Sequence, residues 1–142
     1  MTARNLIRYL ATKQAIVAKL SIAKFGTRLF ARRAPQGCPL PLVVVTALGG
    51  APEYHLTGEI GDLARTFQVD VYADSEDECE EIAELIRLAP LSGYRGQMDG
   101  VRVHAVTIQS EDDPTEQRGD GNDAPYYRSR KDYRIHFDRV VN

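Results

Sequence analysis

His104 and His136 fall in stretches that read as strands, and each could share a sheet face with Asp70 or Asp138. Two imidazoles and a carboxylate make up the ligand set of a facial metal site. Lone histidines on half-exposed sheet faces more often serve structure, and His55 sits in a predicted loop. A second candidate is acidic: Asp74, Glu76, Asp77, Glu78, Glu80, Glu81 and Glu84 place seven carboxylates within eleven residues. Paired carboxylates do acid–base work, but these open a predicted helix, where solvation and the helix dipole account for them. Gly49-Gly50 follows a predicted strand and runs into Ala51-Pro52, so it reads as a turn and not as a phosphate cradle. The chain has no phosphate loop, dinucleotide fingerprint, zinc-protease helix or nucleophile elbow. Cys38 and Cys79 lack metal or redox spacing and suit a reducing compartment. The expectation is a protein without catalytic residues, cofactor or metal.

Binding is the chemistry that remains, and charge is its first clue. Among 18 lysines and arginines, Arg4, Arg8, Lys13, Lys19, Lys24, Arg28, Arg32 and Arg33 all precede Glu53, the first of the 20 acidic residues. Either the halves neutralise each other within one protomer, or opposite charges lie on opposite sides of it. The second arrangement favours head-to-tail association and ring closure. Arg4 and Arg8 are one helical turn apart and Arg32-Arg33 are adjacent, so phosphate contacts are open to them. Aromatic residues do not interleave with these bases, and the net charge is −2. A nucleic-acid-binding module using the basic N-terminal half is therefore the alternative function. The longest apolar run, Leu40 to Leu48, is about half the ~20 residues a membrane-spanning helix needs. Basic residues interrupt any secretory apolar segment, so neither export nor a membrane is expected.

The elements that must position such surfaces are legible in outline. Leu6, Leu10, Val17 and Leu20 form an apolar stripe on one predicted helix from about Arg4 to Leu20. Arg28 to Arg32 reads as a short strand or extended arm. Pro35, Pro39 and Pro41 then remove three backbone donors in seven positions, making a rigid elbow that feeds the buried strand Leu42 to Leu48. From Arg65 to Ala73 the residues alternate, with Phe67, Val69, Val71 and Ala73 on one face and Thr66, Gln68, Asp70 and Tyr72 on the other. Ser75 is the expected N-cap of a helix burying Cys79, Ile82, Ala83 and Ile86 and stopped by Pro90. Val101 to Gln109 reads as a strand apolar on both faces, Val103 and Ala105 against Val106 and Ile108, in need of cover from a neighbour as well as a helix. Tyr133 to Val141 is the last strand. The acidic stretch 110–125 between them reads as a long polar loop, flexible or functional, offset only by Arg118. Its sixteen residues give an out-and-back reach of roughly 25 Å. The expected fold is one α+β domain over residues 1–142. Its mainly antiparallel four-stranded sheet would pack against two helices in the order α-β-β-α-β-β.

These residues, in this order, resemble the tail-completion or tail-terminator-like proteins of long-tailed bacteriophages. The matching features are an N-terminal helix, Gly26-Thr27-Arg28-Leu29-Phe30, and the elbow from Arg33 to Val45. Phe67-Gln68-Val69-Asp70-Val71-Tyr72-Ala73 with its acidic helix and Asp132-Tyr133-Arg134-Ile135 follow. The resemblance implies a structural virion protein that forms a ring, a hexamer, at the head-proximal end of the tail. There it would end the tail tube and join it to the head–tail connector, with DNA passing through the lumen unread. It implies a virion neck location after assembly in the host bacterial cytoplasm. Tail tube protein and head–tail connector are the implied partners, and no catalytic residues carry over. On this reading Arg28, Phe30, Arg32, Arg33, Pro35, Pro39 and Pro41 should lie at a subunit boundary. Glu111, Asp112, Asp113, Glu116, Arg118, Asp120 and Asp123 should meet a partner ring or the lumen, in a loop whose removal leaves folding nearly intact.

Overall fold

A computed structural model describes residues 1–48, 62–117 and 126–138. Helices α1 (Ala3–Leu10) and α2 (Gln14–Leu20) precede a two-stranded ribbon, β1 (Ser21–Ile22) and β2 (Gly26–Thr27). There follow β3 (Leu29–Ala31), β4 (Leu42–Leu48), β5 (Asp62–Ala73), α3 (Glu76–Ile86), β6 (Gly96–Met98), β7 (Val101–Gln117) and β8 (Tyr126–Asp138). The last six strands form one sheet in the order β3-β4-β5-β8-β7-β6. All pairs are antiparallel except β3–β4, which is parallel with Leu29 beside Val43 and Ala31 beside Val45.

The expected four-stranded sheet on two helices is thus corrected to a six-stranded mixed sheet with three α-helices among the described residues. Each difference has a local cause. The N-terminal helix breaks because the Thr12 hydroxyl and amide both donate to the Tyr9 carbonyl, at 2.6 and 3.1 Å, closing the turn where the helix would continue. The break shifts the helical phase, so Ile16 rather than Val17 is buried with Leu20. The elbow is the crossover of a parallel pair: ten residues carry the chain from the end of β3 back to the start of β4. Strand β6 arises from a two-residue turn, Asp99 (φ 48°) and Gly100 (φ 81°), that pairs Met98 with Val101.

Strand β7 departs most from expectation. Register shifts at Val103/Ala105, Ile108/Ser110 and Asp112/Thr115 each change its parity. The first sets Val103 against Phe137 and Val106 against Ile135, so Val101, Val103, Val106 and Ile108 all meet the core. No second apolar face is left for a neighbour to cover, and that expectation is withdrawn. The acidic stretch is also not a loop at its start, because β7 continues through Glu111, Asp112, Asp113 and Glu116 to Gln117. Opposite charges favour this pairing with β8: Glu111 lies across from Lys131 and Asp112 from Arg130. Deleting this segment would strip pairing from β8, so the expectation of nearly intact folding is reversed.

The core lies on one face of the sheet. Val43, Val45, Phe67, Val69, Val71, Tyr133, Ile135 and Phe137 point into it, under Leu6 and Leu10 of α1, Ile16 and Leu20 of α2, and Cys79, Ile82, Ala83 and Ile86 of α3. Ser75 caps α3, its hydroxyl accepting from the Glu78 amide at 3.2 Å. A π-helical turn, Arg87–Leu91, follows α3 and brings Leu91 into the core. Cys79 is fully buried with its thiol donating to the Val71 carbonyl at 3.4 Å, and burial pushes the thiol up to about 11.

Two outcomes follow. Val106→Asp should cost several kcal/mol by burying an unpaired charge, about 3 or more, whereas Thr107→Asp, on an exposed position, should be tolerated; urea unfolding of both variants reads the bulge parity directly. The Cys79 thiol binds its proton more tightly folded than unfolded, so its contribution to stability holds below about pH 9 and is lost as pH rises toward 11. Chemical unfolding across that range should show the decline, and Cys79→Ala should flatten it.

Candidate functional site

The register places Thr46, Gln68 and Asp132 in one row across the opposite face of the sheet, Val44, Asp70, Arg130 and Asp112 in the next, and Leu42, Tyr72, Arg128 and Thr115 in a third. The residues expected opposite Phe67 and Val69 are therefore on this second face, as the alternation required. The elbow folds over its β4 end, so Leu42 and Val44 are as buried as core residues although they face away from the helices. Between elbow and sheet runs a groove of about 460 Å³. Leu40, Leu42 and Val44 form its apolar floor, and Arg32, Arg33, Asp70 and Arg130 supply charged walls.

Asp70 organises the polar side of this groove. It is 4% exposed, and its carboxylate accepts from Arg130 Nε at 2.9 Å and from Gln68 Nε2 at 2.8 Å, with Arg128 Nε 3.8 Å away. A buried carboxylate is tolerated when charge-assisted bonds replace its water. The bond to Asp70 raises the Arg130 guanidinium further above its ordinary range. The rings of Tyr72 and Tyr126 meet tilted in the groove lining, centroids 5.8 Å apart at 53°. Burial, and then Asp70, raise the Tyr72 hydroxyl above its usual value.

The two adjacent arginines of the elbow and the one before them play different parts. Arg28 is only 5% exposed: its Nε donates to the Leu20 carbonyl at 2.8 Å and its Nη1 to the Pro39 carbonyl at 3.1 Å. It ties the end of α2 to the elbow within the protomer, so its side chain is not at a surface. Arg32 and Arg33 are exposed and make no ion pair among the described residues. Arg32 sits at φ 69°, a left-handed conformation that costs a residue with a Cβ about 1–2 kcal/mol. The turn is fixed by the Arg32 amide donating to the Val45 carbonyl at 3.0 Å.

The other candidates are dispersed. Phe30 and Pro41 are half-buried, while Pro35 and Pro39 are exposed on the elbow. Glu111 and Asp112 are exposed on β7, which also contains Asp113 and Glu116; Arg118, Asp120 and Asp123 lie outside the described residues. Two further N-terminal bases are engaged within the chain, Arg8 with Asp99 at 3.4 Å and Lys19 with Glu81 at 2.9 Å. Arg4, Lys13, Lys24, Arg32 and Arg33 make no ion pair among the described residues. His104 pairs with Asp138 through Nε2, while His136 lies across from Ala64 and Ala105. No cluster of three or more metal-ligating side chains occurs among the described residues. The sequence offers Asp70 only as a carboxylate for a metal site, and its pairing with Arg130 depends on a register between residues 60 apart.

Fold and groove define a small α+β domain with a helix-covered sheet face and a second face bearing a charged groove at the sheet's edge. The family model of tail completion protein gp17 matches residues 5–137, and the chain belongs to that family. It is a bacteriophage tail-completion family protein, as the sequence resemblance implied. Among solved structures, a chain of the virion of a native gene transfer agent particle is similar in fold, with TM-score 0.63 and 15% identity over 96% of this chain and 94% of that one. A second solved chain gives TM-score 0.52 and 12% identity, covering 100% of this chain and 99% of its own. No curated protein matches.

The neighbouring arginines should respond in opposite directions. Arg28→Met strands the Pro39 carbonyl and should lower stability by about 2 kcal/mol. Arg32→Gly relieves the left-handed backbone and should leave stability unchanged or raise it by up to about 1 kcal/mol. Thermal melting of both variants checks the pair.

Proposed function

We propose that the protein is a ring subunit at the head-proximal end of a phage-type tail, where it ends the tail tube and joins it to the head–tail connector. The observation that carries this reading is the family match over nearly the whole chain, residues 5–137. The similar chain of a gene transfer agent virion adds a phage-like particle as the setting. Several copies form the ring, a hexamer on the family resemblance, and DNA passes through its lumen without sequence reading. The protein works through surfaces and not through a reacting group, so it is not an enzyme. Its partners are further copies of itself, the tail tube protein and the head–tail connector protein, and assembly takes place in the host bacterial cytoplasm.

The charge distribution supports this reading on physical grounds. Arg32 and Arg33 of the elbow are exposed and Glu111 and Asp112 are exposed on β7. A subunit that exposes both signs of charge suits heterologous contacts, which close into rings when the rotation permits.

Particles assembled without this protein should yield filled heads separated from tails, with tail tubes of irregular length, and supplying the protein in trans should restore joined particles. Electron microscopy counts both populations. Tails of normal length joined to heads in its absence would contradict the proposal.

A further inference from the structure

We propose that the groove between the elbow and the sheet is a docking site for an extended segment of a partner protein, one that alternates carboxylates with apolar side chains. The assignment goes beyond the ring reading and does not depend on it.

The charge of the groove sets the first requirement. Arg32, Arg33 and Arg130 line it, and Asp70 is the one acidic residue of the lining. That carboxylate is buried and already accepts from Arg130 Nε and Gln68 Nε2. Arg130 meets it through Nε while its side chain stays 34% exposed. Arg32 and Arg33 are exposed, and neither has an ion-pair partner among the described residues. Asp112 lies across from Arg130 on β7, outside the lining, and leaves both elbow arginines unpaired. Carboxylates from a partner supply what these guanidiniums lack.

The backbone holds two of the cations in place at a cost. The Arg33 amide donates to the Ala31 carbonyl at 2.8 Å across Arg32, whose φ is 69°. A three-residue turn closed in this way around a positive φ is the rare, strained form of the γ-turn. The Arg32 amide anchors the same turn to β4 through the Val45 carbonyl. Glycine would adopt this conformation more easily, and strain of this kind gathers at binding sites. At the other end of the elbow, Arg28 holds the Pro39 carbonyl. The groove is therefore formed before a partner arrives, which lowers the ordering cost of binding.

The floor sets the second requirement. Leu40, Leu42 and Val44 give an apolar strip, and at about 460 Å³ the groove falls within the size range of ligand clefts. An apolar side chain gains by covering that strip, whereas a phosphate backbone does not. The rings of Tyr72 and Tyr126 are engaged with each other and do not form the stacking platform of a single-stranded nucleic-acid site. An extended segment meets both requirements, because its successive side chains point to opposite sides.

Peptide titration of the full chain tests this. The probe is a blocked peptide of alternating glutamate and leucine. Its comparisons carry lysine for glutamate or serine for leucine, and the last is an oligothymidylate strand. Calorimetry reads affinity, and amide NMR shifts read location. The glutamate–leucine peptide should bind and move the amides of Arg32, Arg33, Leu42 and Val44. The lysine form should not bind, and the serine form should bind about tenfold more weakly or worse. Arg32→Gly should keep or raise the melting temperature yet weaken peptide binding about tenfold, and Arg32→Lys should restore part of the loss. Arg33→Gln should weaken binding without changing the melting temperature. Absence of peptide binding, equal binding of the glutamate and lysine forms, or affinity untouched by Arg32→Gly and Arg33→Gln would overturn the site. Tighter binding of oligothymidylate at the same amides would overturn the choice of a protein partner. None of these readouts counts copies on tails, so each such failure leaves the ring reading standing.

Discussion

The antiparallel ladder β5–β8–β7 is the constraint on which the rest depends. It joins residues far apart in sequence into rows, and each row has one parity. Phe67, Tyr133 and Ile108 fall in a core-facing row, while Asp70, Arg130 and Asp112 fall in a row on the other side. A slip of one residue would carry the carboxylate of Asp70 under the helices and the ring of Phe67 into water. Hydrophobic burial on one side and the Asp70–Arg130 bond on the other therefore select the same register. The bulges in β7 serve that agreement, since they let a strand with the wrong local alternation deliver Val103, Val106 and Ile108 to the core in succession.

The elbow builds on this ladder. Three prolines hold the chain extended, and the buried Arg28 donates to the Pro39 carbonyl. The result is a parallel β3–β4 pair at the sheet margin and a strip of apolar surface roofed by the chain's own backbone. Arg32 and Arg33 on that roof share the groove with Arg130 of β8, which lies across from Asp112 of β7. The charge segregation along the sequence is thus partly undone in space, where Arg8 also pairs with Asp99 and Lys19 with Glu81.

Periodicity was enough to read the elements whose character is local. Leu42 to Leu48, the alternation through Phe67 and Ala73, and the capped helix after Ser75 all stand where residue type placed them. What escaped were features decided by partners. No pattern within Val101 to Gln109 announces a bulge, because the parity change is set by the β8 residues it must face. The acidic stretch looked like a loop because its neutralising residues, Arg130 and Lys131, come later in the chain. The β6 hairpin is a different case: Asp99-Gly100 is a strong two-residue turn signal that went unread. At the candidate site, Arg32 and Arg33 stood out by adjacency and line the groove, whereas Asp70 needed the register to acquire its meaning.

The central proposal is that several copies of this chain form a ring at the junction of tail and head. A reconstruction of the particle neck with this protein in place tests it most directly. The predicted result is a closed ring of several copies at the head-proximal end of the tube. A single copy at the neck, or a joined neck from which this protein is absent, would contradict it.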